Sequence, residues 1–562
     1  MKRENILAGL RAGLNPSVLV IGGGINGIGT FRDLALQDVD VLLVDRGDFC
    51  SGASAASSHM AHGGIRYLEN GEFRLVREAV RERNRLLENA AHCVRPLPTT
   101  IPIFSVFSGL FNAPFKFLRL RDRPAERGAL VIKIGLVLYD AFTGRSRAVP
   151  PHRFRGRAAS LERSPELNPE VLATAEYHDA AILNPERLCL ELILDAEAAN
   201  AQARALNYCP VAGLQEGRVI LEDLLSGERF AVQPEVVVNA AGPWIDRANG
   251  MLERETAFIG GTKGSHLVLD HPALREAAGD SEFFFENDDG RIVLILPYFD
   301  RVLVGTSDIR IDDPDEAVCT EAEVDYFLAM IRRVFPAIVV ERDAIVFRFS
   351  GVRPLPGQSA AMTGQISRDH SIEILERGDR QPFPILSLIG GKWTTFRAFA
   401  EQASDLVLEF LGVRRSISTE TLPIGGGDGF PKDPVEREAR VQALARGGIA
   451  ADRAAELLDR YGSRANHVAA YTGAAPDQAL PGVPGFSRRE IEFIALEGKV
   501  VHLDDLLLRR TLLGKLGRVD QAAVRTLGEV VGDVLGWEVS RVEAEIDRTV
   551  RIFRERHQVE LL

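Results

Sequence analysis

The chain has 562 residues, of which 46% are hydrophobic and 26% are charged, and its formal net charge is -12. This length exceeds what a single hydrophobic core usually serves, so we expect two or three structural units. The composition is that of an ordinary globular protein, and the acidic balance argues against a nucleic-acid partner, because neutralising phosphates requires a basic surface.

The first segment, residues 1–16, is predicted to be a short tail, because it has basic residues but neither the apolar core nor the cleavage site of a signal peptide. The five cysteines lie far apart and form no CxxC pair. We therefore predict reduced thiols in a cytoplasmic protein and no metal site. No apolar run reaches the roughly 20 residues that cross a bilayer, so any membrane contact is expected to be peripheral.

A nucleotide-binding unit is predicted next. Two short apolar runs, 18–21 and 41–44, have the pattern of parallel strands covered on both faces, and the residues between them predict a crossover helix. The intervening turn has the spacing Gly22-x-Gly24-x-x-Gly27. Such a turn brings a pyrophosphate close to the backbone and to a helix N-terminus, so Gly22, Gly24, Asn26 and Gly27 are predicted cofactor contacts.

Asp45 follows the second strand and is placed to accept hydrogen bonds from the adenosine ribose. An aspartate at this point disfavours a 2'-phosphate, and therefore NADP. The loop alone does not separate FAD from NAD. The run "SGASAASSHMAHGG" that follows favours FAD, because a Ser/Gly-rich segment suits a long flavin nucleotide.

Two more strand-turn-helix units are predicted, one at Val236–Val238 before "NAAGPW" and one from Ile385 to Leu411. Because the three units are far apart, we expect one nucleotide domain built from discontinuous segments. Residues 291–308 predict a hairpin of an antiparallel sheet, with its turn at 298–301. After the Gly/Pro-rich stretch 422–434, helical spacing continues to the C-terminus.

The segment from 105 to 157 has an unusual charge, with eleven basic residues and three acidic ones. Phenylalanines at 104, 107, 111, 115 and 117 lie at its start. Basic groups beside apolar anchors are what an anionic membrane surface attracts. A solvated basic face whose aromatic residues join the core is an equally good interpretation.

The motifs "GGGINGIGTFRDLA", "HGGIRYLE", "KGSH", "SGVRPL", "GGKWTT" and "LLRRTLLG" occur in this order along the chain. In order and spacing they resemble those of the FAD-dependent respiratory glycerol-3-phosphate dehydrogenases, over essentially the whole length. The resemblance implies an α/β fold with a Rossmann-like FAD-binding domain of the D-amino-acid-oxidase type. An antiparallel-sheet substrate domain and an all-helical C-terminal domain would complete it.

This resemblance also sets the expected boundaries. The FAD-binding domain would take 17–100, 176–255 and 345–412, and the substrate and membrane-proximal domain would take 101–175 and 256–344. Residues 413–434 would be a linker, and 435–562 the helical domain.

The implied reaction is oxidation of sn-glycerol 3-phosphate to dihydroxyacetone phosphate, with hydride transfer from C2 to flavin N5 and electrons passed to membrane quinone. The implied partners are the substrate, the quinone and the inner face of the cytoplasmic membrane, to which the protein would attach peripherally. A homodimer is a candidate assembly, and no nucleic acid is expected.

A phosphorylated polyol requires fixed cations, and guanidinium groups suit phosphate oxygens. The matching substrate positions are Arg66, Tyr67, Thr306, Arg353, Arg368 and Lys392. His266 is the preferred base for the C2 hydroxyl, with His62 as the alternative, because histidine titrates near working pH. His266, Arg353 and Lys392 form the predicted catalytic set.

The remaining predicted FAD contacts come from loops that follow strands. They are Arg46, Ser54, Ser58, His62, Gly63, Gly64, Ala241, Gly242, Gly390, Gly391, Lys392, Thr394 and Thr395. In "GGKWTT", backbone N–H groups at the start of a helix are expected to face the negative charge of the reduced ring.

Two motifs depart from the family pattern. Ser57-Ser58-His59 stands where relatives usually have Ser-Ser-Lys, and Asn184-Pro185-Glu186-Arg187 stands where they have "DDAR". The exact polyol phosphate therefore stays open, and a longer one such as erythritol phosphate is an alternative.

Three other functions are alternatives to the dehydrogenase. The first is an oxidase with the same half-reaction that passes electrons to oxygen. The second is an amine or amino-acid oxidase, which should need one arginine and an apolar pocket. The third is a non-catalytic FAD-binding or membrane-scaffold protein, which should bind FAD without reacting.

Overall fold

The computed structural model describes residues 1–65, 72–105, 129–143, 148–286, 292–357 and 369–561. Its longer helices are α1 (Arg3–Arg11), α2 (Ile25–Leu36), α3 (Phe73–Asn89), α4 (Ala129–Thr143), α5 (Arg157–Arg163), α6 (Pro185–Ala199), α7 (Ile245–Met251), α8 (Pro272–Ala278), α9 (Glu321–Val334), α10 (Phe396–Leu411), α11 (Pro434–Ala445), α12 (Ala451–Tyr461), α13 (Ala465–Gly473), α14 (Arg488–Glu497), α15 (Gln521–Leu535) and α16 (Val539–Arg556).

The strands are β1 (Val18–Ile21), β2 (Val41–Val44), β3 (Met60–Ala61), β4 (Val94–Ile103), β5 (Arg153–Gly156), β6 (Ala173–Ile182), β7 (Ala203–Leu206), β8 (Val211–Gln215), β9 (Arg218–Glu222), β10 (Arg229–Val232), β11 (Val236–Asn239), β12 (Ile259–Leu269), β13 (Glu282–Glu286), β14 (Ile292–Tyr298), β15 (Arg301–Gly305), β16 (Ile309–Arg310), β17 (Ile345–Pro356), β18 (Ser371–Leu375) and β19 (Ile385–Ile389). Within the described residues they form sheets of six, three and ten strands.

The six-stranded sheet has the order β18-β19-β11-β1-β2-β7, and its neighbours pair in parallel except for β18 with β19. The predicted strands β1 and β2 are confirmed, and all their residues are buried. Successive residues of a strand point to opposite faces. Val18 and Val20 therefore join the core under α2 and α10, while Leu19 and Ile21 join a second core on the other face.

The second face of the sheet is covered in part by residues that the sequence predicted to be a tail. The predicted tail forms α1, whose Ile6, Leu7 and Leu10 are buried in that core beside the three-stranded sheet. Its apolar residues recur at helical spacing, which is enough to anchor nine residues against an existing sheet.

The ten-stranded sheet runs β16-β12-β15-β14-β13-β4-β6-β3, with β17 paired to β12 and β5 to β6. The predicted hairpin is confirmed as β14 and β15, which pair from Tyr298 and Arg301 outward. The predicted domain boundaries differ here: β4, β6 and β17, which the sequence placed partly or wholly with FAD, pair in this sheet. Strand pattern shows burial but not the partner strand, so such an assignment needs the tertiary fold.

The last helices, α11–α16, form the predicted helical unit, and α14–α16 share a core with Phe347 and Phe349 of β17. Arg510, just before the turn at 511–517, donates two hydrogen bonds of 2.7 Å to the buried Asp48 of the nucleotide domain. The helical unit is thus packed against both sheets.

Two general findings complete the fold. In the described part of the chain, no helix has the length and apolar character needed to cross a membrane. All five cysteines are buried, and none of them forms a disulfide.

Candidate functional site

A cavity of about 2260 Å³ is lined by loops of the nucleotide sheet, by the ten-stranded sheet and by the helical unit. Small-molecule sites usually measure about 300–1,000 Å³. This cavity therefore has room for a long cofactor together with a substrate. The two ends differ in what lines them.

At one end, four parallel strands bring their carboxyl ends together. Gly22–Gly24 follow β1, Asp45 follows β2, Ala241–Gly242 follow β11 and Gly390–Gly391 follow β19, and all line the cavity. Ligands of open α/β sheets bind at this edge. The predicted loops therefore form one site although they are distant in sequence.

The glycine loop has the geometry of a phosphate cradle. Gly22 has a φ of +107°, and a Cβ there would lie 2.5 Å from the Ala240 carbonyl oxygen. A Cβ on Gly27 would lie 2.0 Å from the Gly22 carbonyl oxygen, so Gly27 serves close packing and does not line the cavity. Gly24, the N-cap of α2, has no side chain to occupy the helix terminus. These features fit the pyrophosphate of a dinucleotide.

Asp45 is held in place by the same loop. Its carboxylate accepts hydrogen bonds from the backbone N–H groups of Gly23 at 2.6 Å and Gly47 at 2.7 Å. Burial raises the pKa of Asp45 to about 6. Arg46 stacks 4.4 Å above Trp244 and pairs with Asp315 at the cavity wall.

Ser54, in the segment after Asp45, connects the glycine loop after β1 to the turn after β19. The Ser54 hydroxyl accepts from the Ile25 N–H at 2.9 Å, and the Ser54 carbonyl accepts from the Trp393 indole at 2.9 Å. The Thr394 hydroxyl accepts from the His62 N–H at 3.0 Å. This hydrogen bond links the motifs "HGG" and "GGKWTT".

At the other end, His266 projects from β12 between β15 and β17. The Ser58 hydroxyl and Nε2 of His266 are 2.9 Å apart, and Phe349 stacks on the imidazole with ring centroids 4.9 Å apart. The imidazole occupies space that Gly305 of β15 leaves free, because a Cβ on Gly305 would lie 2.2 Å from the His266 ring.

Arg353 lies on β17 opposite Thr262, and its guanidinium occupies space that Gly264 leaves free: a Cβ on Gly264 would lie 2.4 Å from Nη2. Nη2 donates to the Thr306 hydroxyl at 2.9 Å and to the Ser307 carbonyl at 3.1 Å, and Nη1 donates to Asp308 at 3.3 Å. The guanidinium is thus held by Thr306 and its neighbours while it faces the cavity.

The charge of this wall acts on His266. Burial, followed by the cationic groups of Arg353 and Lys515, lowers the pKa of His266 to about 3. The imidazole is therefore neutral at physiological pH, which is the form that accepts a proton.

Most predicted site residues line this one cavity. They are Gly22, Gly24, Asn26, Asp45, Arg46, Ser54, Ser58, His62, Gly64, Ala241, Gly242, His266, Thr306, Arg353, Gly390, Gly391, Lys392 and Thr394. Gly27, Gly63 and Thr395 do not line it, and the Gly63 N–H donates to the lining residue Asp179 at 2.8 Å. Arg66, Tyr67 and Arg368 lie outside the described residues.

Sequence reasoning assigned no site role to Glu186, Phe349 or Lys515, which also line the cavity. Phe349 directly precedes the "SGVRP" motif, and Lys515 follows "LLRRTLLG", so each adjoins a motif already recognised. Glu186 belongs to the departing "NPER" segment, whose local pattern gave no sign that its side chain reaches the cavity.

Comparison with known proteins agrees with this geometry. Residues 17–377 match the model of the FAD dependent oxidoreductase family, and 417–542 match that of the C-terminal domain of alpha-glycerophosphate oxidase. The glycerol-3-phosphate dehydrogenase of Synechocystis sp. is 33% identical, over 94% of this chain and 95% of its own. The aerobic glycerol-3-phosphate dehydrogenase of Escherichia coli K12 is 31% identical, over 90% of this chain and 95% of its own.

A similar fold occurs in the glycerol-3-phosphate dehydrogenase from Bacillus halodurans, solved in complex with FAD. The TM-score is 0.75 at 23% identity, over 98% of this chain and 97% of that one. This similarity confirms the predicted fold class, and the family model confirms FAD as the cofactor. With two family models covering most of the chain and relatives above 30% identity over nearly its full length, the protein belongs to the family of FAD-dependent glycerol-3-phosphate dehydrogenases.

Proposed function

We propose that the protein oxidises sn-glycerol 3-phosphate to dihydroxyacetone phosphate and passes the electrons to a membrane quinone. The observation that carries this proposal is a neutral, buried histidine beside a fixed arginine, in the cavity that the nucleotide loops enter. FAD, when bound, supplies the acceptor for the hydride that leaves C2.

The chain's own residues would divide the remaining work. His266 takes the proton of the C2 hydroxyl, and Ser58 holds the imidazole by the contact at 2.9 Å. Arg353 binds the phosphate through a charge-assisted contact, and Thr306 and Asp308 fix the plane of its guanidinium. Lys392, in the turn after β19, adds a second cation to the same cavity.

The decisive experiment is an anaerobic titration of the FAD-loaded protein with sn-glycerol 3-phosphate, followed by flavin absorbance. We expect full bleaching at substrate concentrations up to the millimolar range. An absence of bleaching would reject the proposed substrate. Erythritol 4-phosphate, titrated in parallel, tests whether a longer polyol phosphate is preferred.

The phosphate-binding role is tested with Arg353→Met. Losing a charge-assisted pair costs about 1.5–3 kcal/mol, so the dissociation constant of the substrate should rise on the order of 10–100-fold while FAD stays bound. Arg342→Met is the matched control, because Arg342 pairs with Asp325 on the surface, away from the cavity. An unchanged substrate affinity in Arg353→Met would exclude this role.

Oxygen is the second candidate acceptor, favoured by the match of 417–542 to an oxidase's C-terminal domain. In air, an oxidase would form one peroxide for each substrate oxidised without added quinone. We expect little peroxide, and rapid turnover only when a soluble quinone analogue is supplied.

Attachment to a membrane is proposed from α4. Its Leu130, Ile134, Val137 and Leu138 are all at least 40% exposed, although neighbours on the opposite face are buried. An exposed apolar stripe beside basic residues fits the surface of an anionic bilayer. The double variant Ile134→Glu/Leu138→Glu should lose binding to anionic vesicles in flotation assays, and high salt should weaken binding of the wild type.

A further inference from the structure

Lys515 is a buried cation that the helical unit contributes to the cavity. It lies in the turn 511–517, is 4% exposed, and lines the cavity together with His266 and Arg353. The turn is closely pressed against β17, since a Cβ on Gly517 would lie 2.5 Å from Val346. The Arg301 guanidinium also donates to the Leu516 carbonyl at 3.2 Å. These contacts of residues 516 and 517 fix the backbone of the turn, and with it the point from which the Lys515 side chain extends.

The ammonium group of Lys515 contacts both elements that hold His266. It donates to the Ala55 carbonyl at 3.3 Å, in the segment that carries Ser58. It also lies 5.6 Å from the centroid of Phe349, the ring that stacks on the imidazole. Contacts of this kind between a cation and an aromatic face gain strength where water is excluded.

Glu186 balances this charge. Its carboxylate pairs with Lys515, and both side chains are at most 5% exposed. Glu186 lies in the first turn of α6, so the pair joins the helical unit to the nucleotide domain at the cavity wall. A buried ammonium group without an anion nearby destabilises the fold, and Glu186 supplies that anion.

We propose that Lys515 is a positioning residue for the candidate base: it fixes the Ser58 segment and Phe349 around His266, so the helical unit completes the catalytic site. The inference rests on the proposed role of His266. Misplacing a reacting group by about 1 Å can cost on the order of 100-fold in rate. A flexible neutral side chain at 515 should therefore slow proton removal without releasing substrate or FAD.

The test compares FAD-loaded wild type with Lys515→Met, Lys515→Gln and Lys515→Arg. The matched control is Arg518→Met, which removes another interdomain ion pair, that with Asp300, from a position three residues away. For Lys515→Met we expect flavin reduction by glycerol 3-phosphate to slow on the order of 100-fold. The substrate dissociation constant should stay within about threefold, and Lys515→Arg should recover most of the rate. Arg518→Met should behave like the wild type.

A second readout does not depend on turnover. Diethyl pyrocarbonate modifies neutral imidazole, and peptide mass spectrometry follows the reaction at His266 across pH. Among the described residues, the charged groups that act electrostatically on His266 are Arg353 from β17, Lys515 from the turn and Glu323 from α9, and His59 is a titratable neighbour. Removing Lys515 removes a cation, so the half-modification pH of His266 should rise in Lys515→Met and in Lys515→Gln.

The outcomes separate the two proposals. If glycerol 3-phosphate fails to reduce the wild type, the proposed function falls, while the modification of His266 still tests whether Lys515 acts on that imidazole. If Lys515→Met keeps both the wild-type reduction rate and the wild-type reactivity of His266, the inference is overturned. It is also overturned if Lys515→Met and Lys515→Gln both lose FAD, because Lys515 would then serve folding alone.

Discussion

The two ends of the cavity are built in different ways. At the end that we assign to the cofactor, called the cofactor end, the cavity is lined mainly by backbone and small residues that directly follow β1, β2, β11 and β19. At the end around His266, proposed for the substrate and called the substrate end, it is lined by long side chains on β12, β17 and the turn 511–517. The structure of the first end is set by local loop geometry. The structure of the second end is set by side chains that different structural units bring together.

This difference has a physical origin. A pyrophosphate is recognised by N–H groups and by the absence of side chains, which a short local motif provides. A small dianion and a proton in transfer need cations and a base at fixed separation, and no single segment can supply them. Substitutions at the two ends should therefore have different effects: loss of FAD binding at the first end, and slower flavin reduction at the second.

The largest effect is expected for Gly22→Ala. A residue with a side chain pays about 1–3 kcal/mol for the positive φ, and its Cβ would also meet the Ala240 carbonyl oxygen at 2.5 Å. The purified variant should contain almost no FAD, as measured by the ratio of flavin to protein absorbance. Gly250→Ala, where an added Cβ meets nothing within 4 Å, should retain FAD. Normal flavin content in Gly22→Ala would contradict the cradle.

The next effect is expected at the substrate end, for His266→Asn. A positioned general base contributes about 10²–10⁴ in rate, so flavin reduction should slow by that factor while FAD content stays normal. Rapid-mixing absorbance under anaerobic conditions measures the rate constant. If the variant loses FAD as Gly22→Ala does, the contrast between the two ends is wrong.

A smaller effect on rate is expected where the two ends meet. Asp179 accepts from the Gly63 N–H at 2.8 Å and from the Tyr139 hydroxyl at 2.7 Å, and it pairs with the buried Arg83. Asp179→Asn leaves the Arg83 charge unpaired, which costs about 3–5 kcal/mol of unfolding free energy. Thermal unfolding should show the loss, and flavin reduction should slow only about tenfold.

Asp140→Asn is the control for that variant. It lies on α4 beside Tyr139 but pairs with His152 instead of reaching Gly63. Its stability and rate should stay near the wild-type values. A stability loss equal to that of Asp179→Asn would mean that α4 packing, and not the Gly63 contact, is responsible.

The smallest effect concerns pH. Burial raises the pKa of Asp45 from its usual 3.8 to about 6. A raised pKa means that the stabilising contribution is complete below about pH 4 and is lost as pH rises through 6. In the FAD-free protein, the melting temperature of wild type relative to Asp45→Asn should therefore fall between pH 4 and 7. A constant difference across this range would show that Asp45 titrates normally.

The cofactor end was largely predictable from local sequence. Gly22, Asp45 and the "GGKWTT" turn lie where the strand pattern placed them, because parallel strands covered on both faces have a distinct apolar pattern. His266 and Arg353, which the sequence motifs proposed for the site, line the same cavity. The sequence did not indicate their surroundings, since Gly264 and Gly305 look like ordinary strand glycines until the paired strands are known.

The sequence by itself determined the nucleotide loop, its acid, the hairpin β14–β15 and the helical character of the C-terminal part, because each depends on residues close together in the chain. Only the tertiary structure decided that β17 pairs with β12, that α1 closes a core, and that Lys515 reaches the wall around His266. Those contacts join residues up to several hundred positions apart. Their formation depends on how layers pack, and that information is not contained in the period or spacing of any one segment.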